Sequence, residues 1–311
     1  MTDTPFNPIP HRQIHPALQF LILIGLVIAA MIVGTIFSMA IIKLLWGSEV
    51  LADTLQFKVS SVQTKNALWL IQIVSTTLPL LVSPIFFSYI IVREPEEYLK
   101  TTFRFPWILI AIVFLTMFSA SPLMEYISNF NQSLNLPQWM RDNEDQLSKV
   151  QDSMLEMKTF SKMIFNLFFV GLVTALAEEF VFRGCLQTIF IRWMKNKHTA
   201  IWIIAILFSA FHDEFLGFLP RLLLGLFFGY FTVWSGSIWP AVWAHFVNNG
   251  TVVVWSYLYQ QKITTINPSN QHIFNNTWYI ISLIITLFLL FIYRYISNKR
   301  QIADIDGEEL D

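Results

Sequence analysis

Long apolar runs separated by short polar ones set the rhythm of this chain. A bilayer core about 30 Å thick needs roughly 20 apolar residues per helix. Eight stretches reach or approach that length: about 18–44, 67–92, 107–128, 161–190, 199–213, 218–235, 238–259 and 276–296. The pattern predicts an all-α fold, a polytopic transmembrane helical bundle of about eight spans. The fifth and sixth stretches are short or interrupted. Pro79 and Pro84 predict a kink in the second, which a bundle tolerates because neighbouring helices re-satisfy the freed backbone groups. One sizeable polar segment, 129–158, reads NFNQSLNLPQWMRDNEDQLSKVQDSMLEMK. Its Leu, Val and Met spacing after Pro137 predicts an extramembrane amphipathic helix lying on a surface. No internal repeat or low-complexity tract divides the chain, so residues 1–311 read as a single membrane-embedded domain.

Composition agrees with the pattern. Hydrophobic residues make up 55% and charged residues 13%, with 29 Phe and 11 Trp and a mean hydropathy of +0.54. A soluble domain sits near 45–50% apolar and about 25% charged. A net charge of −1 gives no reason to expect a nucleic-acid partner, and membrane lipid is the expected surrounding. Cys185 stands alone, which excludes an internal disulfide framework. The first 17 residues are polar and proline-rich, and the apolar run that follows is too long for a cleaved signal, so it reads as an anchor. With eight spans and a cytoplasmic N-terminus, the inner side receives ten Lys and Arg against eight outside. The inner ones (Arg93, Lys100, Arg104, Arg192, Lys195 and Lys197 among them) crowd short loops, where the positive-inside bias is strongest. Both termini are expected in the cytoplasm. Trp202, Trp234, Trp239 and Trp278 fall near span ends, as interfacial anchors do.

Four places break the apolar runs: Glu178, Glu179 and Arg183; His212 followed by Asp213 and Glu214; Arg221; and His245 with Asn248 and Asn249. Charges at the centre of a span cost about 2.5–3.5 kcal/mol on insertion scales and usually face the bundle interior. Glu179 and Arg183 are four apart with the acid first, the favourable order for a neutralising pair. That leaves Glu178 as the unpaired carboxylate, which burial moves toward the range of a general base. His245 and Asn249, also four apart, project from one helical face. Arg221 has no partner at helical spacing and is expected near a span end, facing water or headgroups. Measured from the turns near Asn196 and Gly236, Glu178 and His212 lie ~27 and ~24 Å deep, and His245 and Asn249 ~14 and ~20 Å. One shared site is consistent with those depths. The GLFFG run (Gly225, Gly229) has the small-xxx-small spacing of closely packed helices.

The chemistry available to Glu, His, His and Asn is water activation. No HExxH pair of the usual zincin type and no G-x-S-x-G is present, and Cys185 reads as a small buried residue. Two schemes remain open. Glu178, His212 and His245 would bind one zinc ion and leave a fourth position for water. Alternatively, with no metal, Glu178 and His212 polarise water while His245 and Asn249 donate to an oxyanion. Asn is an uncommon zinc ligand and a good oxyanion donor, which favours the second scheme. A proton-coupled transporter with buried Glu and His relays is the alternative class; it predicts repeats or paired broken helices, and neither is evident.

At these residues the chain resembles the CPBP group of intramembrane peptidases (CAAX-processing and bacteriocin-processing, also called Abi). EEFVFRG looks like that family's E-E-x-x-x-R motif, FSAFH its F-x-x-x-H motif through Phe208 and His212, and HFVNN its H-x-x-x-N motif. The run GLFFGYFTVWSGSIWPAVWAHFVNN also resembles the family's approach to the last motif. The resemblance covers about 160–255. It implies an intramembrane endopeptidase of glutamate or metallo type, with Glu178 as catalytic carboxylate, His212 its partner, and His245 with Asn249 on the oxyanion side. Glu179 and Arg183 support them. The implied substrate is a peptide or membrane protein, and the implied location the bacterial inner membrane. Asp213 and Glu214 depart from the neutral residues expected after the histidine; they are expected to face the aqueous boundary.

Overall fold

The computed structural model describes residues 14–59, 61–268 and 272–308, with side chains to Asn298. Pro5, Pro8, Pro10 and Arg12, and the side chains of Lys299 and Arg300, lie outside the described residues. The described chain is helical throughout, without strands. Its helices are α1 (Pro16–Leu55), α2 (Val62–Ile91), α3 (Pro95–Leu99), α4 (Ile108–Ser119), α5 (Ser121–Ser133), α6 (Gln138–Met154), α7 (Phe160–Met194), α8 (Lys197–Phe211), α9 (Phe218–Ser235), α10 (Trp239–Gln260) and α11 (Asn276–Glu308). The expected all-α bundle is what forms.

Each of the eight apolar stretches is helical, yet the count of eight spans is not reached by length and apolarity. Among the described residues, five helices suffice to cross a membrane: α1, α2, α7, Phe215–Ser235 including α9, and Asn276–Asn298 of α11. The pair α4 and α5 makes a sixth if its 45° bend is counted as one broken span. The two stretches that fall short carry site residues. Helix α8 has 15 residues, about 22 Å at 1.5 Å each, and it stops at His212. Helix α10 is long enough with 22 residues, but His245, Asn248, Asn249 and Thr251 dilute its apolar character.

The proline-bearing α2 continues through Pro84 by widening into π-helical turns at Gln72–Thr77 and Phe87–Ile91. Such turns absorb a residue that the regular ladder cannot hold. Helix α1 breaks at Gly47, whose φ of 88° only glycine adopts freely.

The polar connections gather at two ends. At one, the Ile238 N–H donates to the Lys100 carbonyl (3.0 Å) and the Ser237 hydroxyl to the Thr102 carbonyl (2.6 Å), while Arg192 pairs with Glu94 at 2.7 Å. At the other, Lys65 pairs with Glu156, and Glu125 accepts from the backbone N–H groups of Ile273 and Phe274 (3.1 and 3.0 Å). Between the ends, Leu21, Val33, Leu44, Phe118, Ile284, Phe288 and Phe291 turn outward and stay exposed. A belt of that size is a liability in water and the expected surface in lipid. This is an integral membrane protein. The core inside the belt is aromatic around α7–α9, where Phe182, Phe208, Phe228 and Phe231 are buried.

Candidate active site

The acid pair sits on α7 where the helix is irregular. A short α-helical piece, Thr174–Glu179, lies between π-helical segments Leu167–Val173 and Phe180–Leu186. π-turns of this kind recur at functional sites because they re-aim side chains without breaking the helix. Glu179 and Arg183, both wholly buried, form the ion pair that their spacing suggested, with Nη1 3.1 Å from Oε1. The guanidinium also donates to the Gly225 carbonyl at 3.2 Å and lies 4.2 Å from the Phe208 ring centre. That contact needs α9 close by. A Cβ on Gly225 would stand 3.0 Å from Ala205 on α8, so the glycine is what lets the helices meet.

Glu179 has a second partner that sequence spacing gave no hint of. The same Oε1 accepts from Nδ1 of His245, 2.9 Å away, 66 residues downstream on α10. Phe228 stacks on the His245 ring, with centroids 5.0 Å apart and planes within 19°. A carboxylate partner puts the proton on Nδ1, so Nε2 is the nitrogen left to face Glu178. His212 is oriented in the same manner by the backbone. Helix α8 ends at Phe211, Asp213 takes a left-handed φ of 53°, and His212 Nδ1 donates to the Phe208 carbonyl at 2.9 Å. A carbonyl only accepts, so the tautomer is fixed and Nε2 is again turned inward.

Both Nε2 atoms converge on one atom. Glu178 Oε2 lies 3.8 Å from His212 Nε2 and 3.8 Å from His245 Nε2. It is buried and makes no hydrogen bond to any protein group. At 3.8 Å a direct hydrogen bond is too long, whereas a water seated to one side reaches two of these groups at once. Three formal charges at the site, Glu178, Glu179 and Arg183, leave one negative charge when both imidazoles are neutral. Among the described residues no group of three or more His, Cys, Asp or Glu is arranged to hold a metal ion.

Asn249 has partners of its own. Its side-chain N–H donates to the Val170 carbonyl at 3.1 Å, in the π-helical part of α7, and its oxygen accepts from Asn248 at 3.1 Å. An amide carries two N–H donors, so one is left over. Arg221 lies in the first turn of α9, near a span end as expected, but it is paired. Instead of facing water or headgroups without a partner, it forms a salt bridge with Glu214 and donates to the Glu214 carbonyl at 3.1 Å. The loop between α8 and α9 folds back onto α9, which brings together residues seven apart that no regular helix would pair. Asp213 and Glu214 do not simply face the boundary either: both are engaged by side chains of α6. Cys185 is buried against the Pro84 carbonyl, away from these groups.

Residues 160–251 match the family model described as type II CAAX prenyl endopeptidase Rce1-like. That span is the one on which the CPBP resemblance rests, and the match bears the resemblance out. The uncharacterized protein YpbD of Bacillus subtilis (strain 168) is 31% identical over 101 residues, which cover 31% of this chain and 49% of the relative. The chain thus spans about half the length of the curated relative it matches. No solved structure matches.

Proposed function

We propose that the chain is an intramembrane endopeptidase that hydrolyses a peptide bond in or next to the bilayer through water activated by Glu178 and His212. The observation that carries this reading is Glu178 Oε2, buried, free of protein hydrogen bonds and equidistant from two imidazole nitrogens. The family description, a CAAX prenyl endopeptidase, supports the reaction class and a peptide or membrane-protein substrate.

In this mechanism a water held between Glu178 and His212 Nε2 gives its proton to the carboxylate as its oxygen attacks the scissile carbonyl carbon. The carbonyl electron pair moves onto oxygen. His245, protonated on both nitrogens, keeps Nδ1–H on Glu179 and offers Nε2–H to that oxyanion, with the spare N–H of Asn249 beside it. Collapse returns the electron pair, breaks the C–N bond and passes the proton from Glu178 to the leaving amine. General acid–base catalysis of this kind contributes about 10²–10⁴-fold, and one oxyanion donor about 10²–10³-fold in kcat.

Metal is not required by this residue set. Zinc would take Glu178, His212 and His245 and supply Lewis-acid polarisation. It would also consume the free carboxylate, leaving as base only Glu179, which Arg183 and His245 already occupy. The metal-free scheme leaves each group one role. The transporter alternative draws no support from the comparisons.

The test uses purified full-length protein in detergent with quenched fluorescent peptides. Wild type cleaves and Glu178→Gln loses turnover by at least about 10²-fold while eluting as the same folded species; retained turnover in Glu178→Gln overturns the assignment. Activity is expected to survive strong chelators, with well under one metal per chain by elemental analysis. Stoichiometric zinc whose removal and return abolish and restore cleavage would reverse the metal-free choice.

A further inference from the structure

Helix α6 has an unusual position for a surface helix. Its half-buried positions, Met140, Arg141, Asn143, Glu144, Leu147, Val150, Ser153 and Met154, follow the three- and four-residue spacing of one helical face, so that face turns toward the bundle. Nothing on that face, or anywhere on α6, is fully buried. The helix touches the Asp213–Gly217 loop directly after His212. Asn143 donates to the Asp213 carbonyl and carboxylate (3.1 and 3.3 Å), and Gln151 donates to Glu214. The Leu216 N–H donates to Glu144 at 3.3 Å, and Trp139 meets the edge of Phe215 at 5.4 Å. Beyond the helix the chain reaches α2, where Glu156 pairs with Lys65.

The two flanks are fixed differently from the middle. On one side buried Asn131 of α5 bonds the Phe215 carbonyl and the Leu219 N–H (both 2.8 Å). On the other, Met157 is wholly buried, and Gln260 at the end of α10 and Gln261 just past it bond its backbone N–H and carbonyl (2.7 and 3.0 Å). Between these anchors α6 is held by long polar side chains, one aromatic edge and a half-buried apolar stripe with no fully buried residue, contacts that open locally at lower cost than a packed core.

We propose that α6 is a lid over the mouth of the Glu178–His212 site, hinged at Asn131 and Met157 and latched to the 213–216 loop by Asn143, Glu144 and Gln151. Peptide enters the site when the latch opens. The lid rests on the endopeptidase reading for its purpose and not for its motion, so the two fail separately.

The experiment reads access without needing turnover. In full-length protein carrying Cys185→Ser, Glu178→Cys is modified by a small methanethiosulfonate reagent in nanodiscs. The rate is compared with the latch intact and with Glu144→Ala and Gln151→Ala added. A rise of at least tenfold on unlatching is expected; an unchanged rate overturns the lid. In the second arm, Asn143→Cys and Asp213→Cys are cross-linked in otherwise active protein. Peptide cleavage is expected to fall at least tenfold and return with reductant, and full cleavage by the cross-linked protein overturns the lid. If wild type cleaves no peptide, the endopeptidase reading fails and the modification rates alone decide the lid.

Discussion

Glu179 Oε1 accepts from both Arg183 and His245, so removing that carboxylate has two separable consequences. Glu179→Gln leaves a wholly buried guanidinium without its counter-charge, and breaking a buried pair from one side costs about 3–5 kcal/mol. A lower midpoint of thermal unfolding in detergent is the expected outcome. Glu179→Leu with Arg183→Met removes both charges, and paired removal is often close to neutral, so the midpoint should largely recover. Activity should not, because His245 has lost the group that holds its Nδ1 proton. Recovery of cleavage in the double variant would detach Glu179 from His245 function. Glu178→Gln is the contrast. Its carboxylate makes no protein hydrogen bond to lose, so the midpoint is expected to hold or rise while turnover disappears.

Close approach of helices sets the next scale, and the glycines locate it. A Cβ at Gly184 would stand 2.7 Å from the Tyr98 carbonyl oxygen, a backbone atom that cannot rotate away. At Gly25 on α1 a Cβ would meet nothing within 4 Å. Gly184→Ala is therefore expected to destabilise by about 1–3 kcal/mol, as overpacking does, and Gly25→Ala to be neutral or stabilising by about 0.5–1 kcal/mol through helix propensity. Thermal midpoints of the two variants check the contrast; equal effects would refute it. The same elements mark what was legible in the sequence. The helices, the Glu179–Arg183 pair and close packing at Gly225 follow from periodicity and from i,i+4 or small-xxx-small spacing, which are local properties; that α8 is the helix packed there does not. The His245–Glu179 bond joins residues 66 apart and has no local signal. Arg221 with Glu214 depends on a loop reversal after a left-handed Asp213. The stripe of α6 reads identically whether it lies on lipid or across a protein mouth, so amphipathicity alone named the helix without naming its partner.

At the scale of the whole molecule, the number of crossings turns on the α8–α9 hairpin. Its two arms leave and return to the end that holds Lys195 and Gly236, so the sidedness of every other loop is the same whether the hairpin traverses the bilayer or stops inside it. Termini and loop mapping cannot tell whether this hairpin traverses the bilayer, but the hairpin tip can. Helix α8 covers about 22 Å of a core about 30 Å thick, and α6 side chains engage the 213–216 tip, so the tip is expected to be shielded from water. Single cysteines in a Cys185→Ser background test both points with an impermeant maleimide on intact cells. Lys58→Cys and Lys262→Cys are expected to label from outside and Lys195→Cys only after permeabilisation, as three helical passages separate 58 from 195. Labelling of 58 and 195 from one side would break that topology. Leu216→Cys, whose backbone bond to Glu144 survives the change, is expected to label from the Lys58 side at a rate at least tenfold below Lys262→Cys. A rate equal to that of Lys262→Cys would mean that the tip emerges into water and that α8 and α9 each complete a span, restoring the count that hydropathy alone suggests.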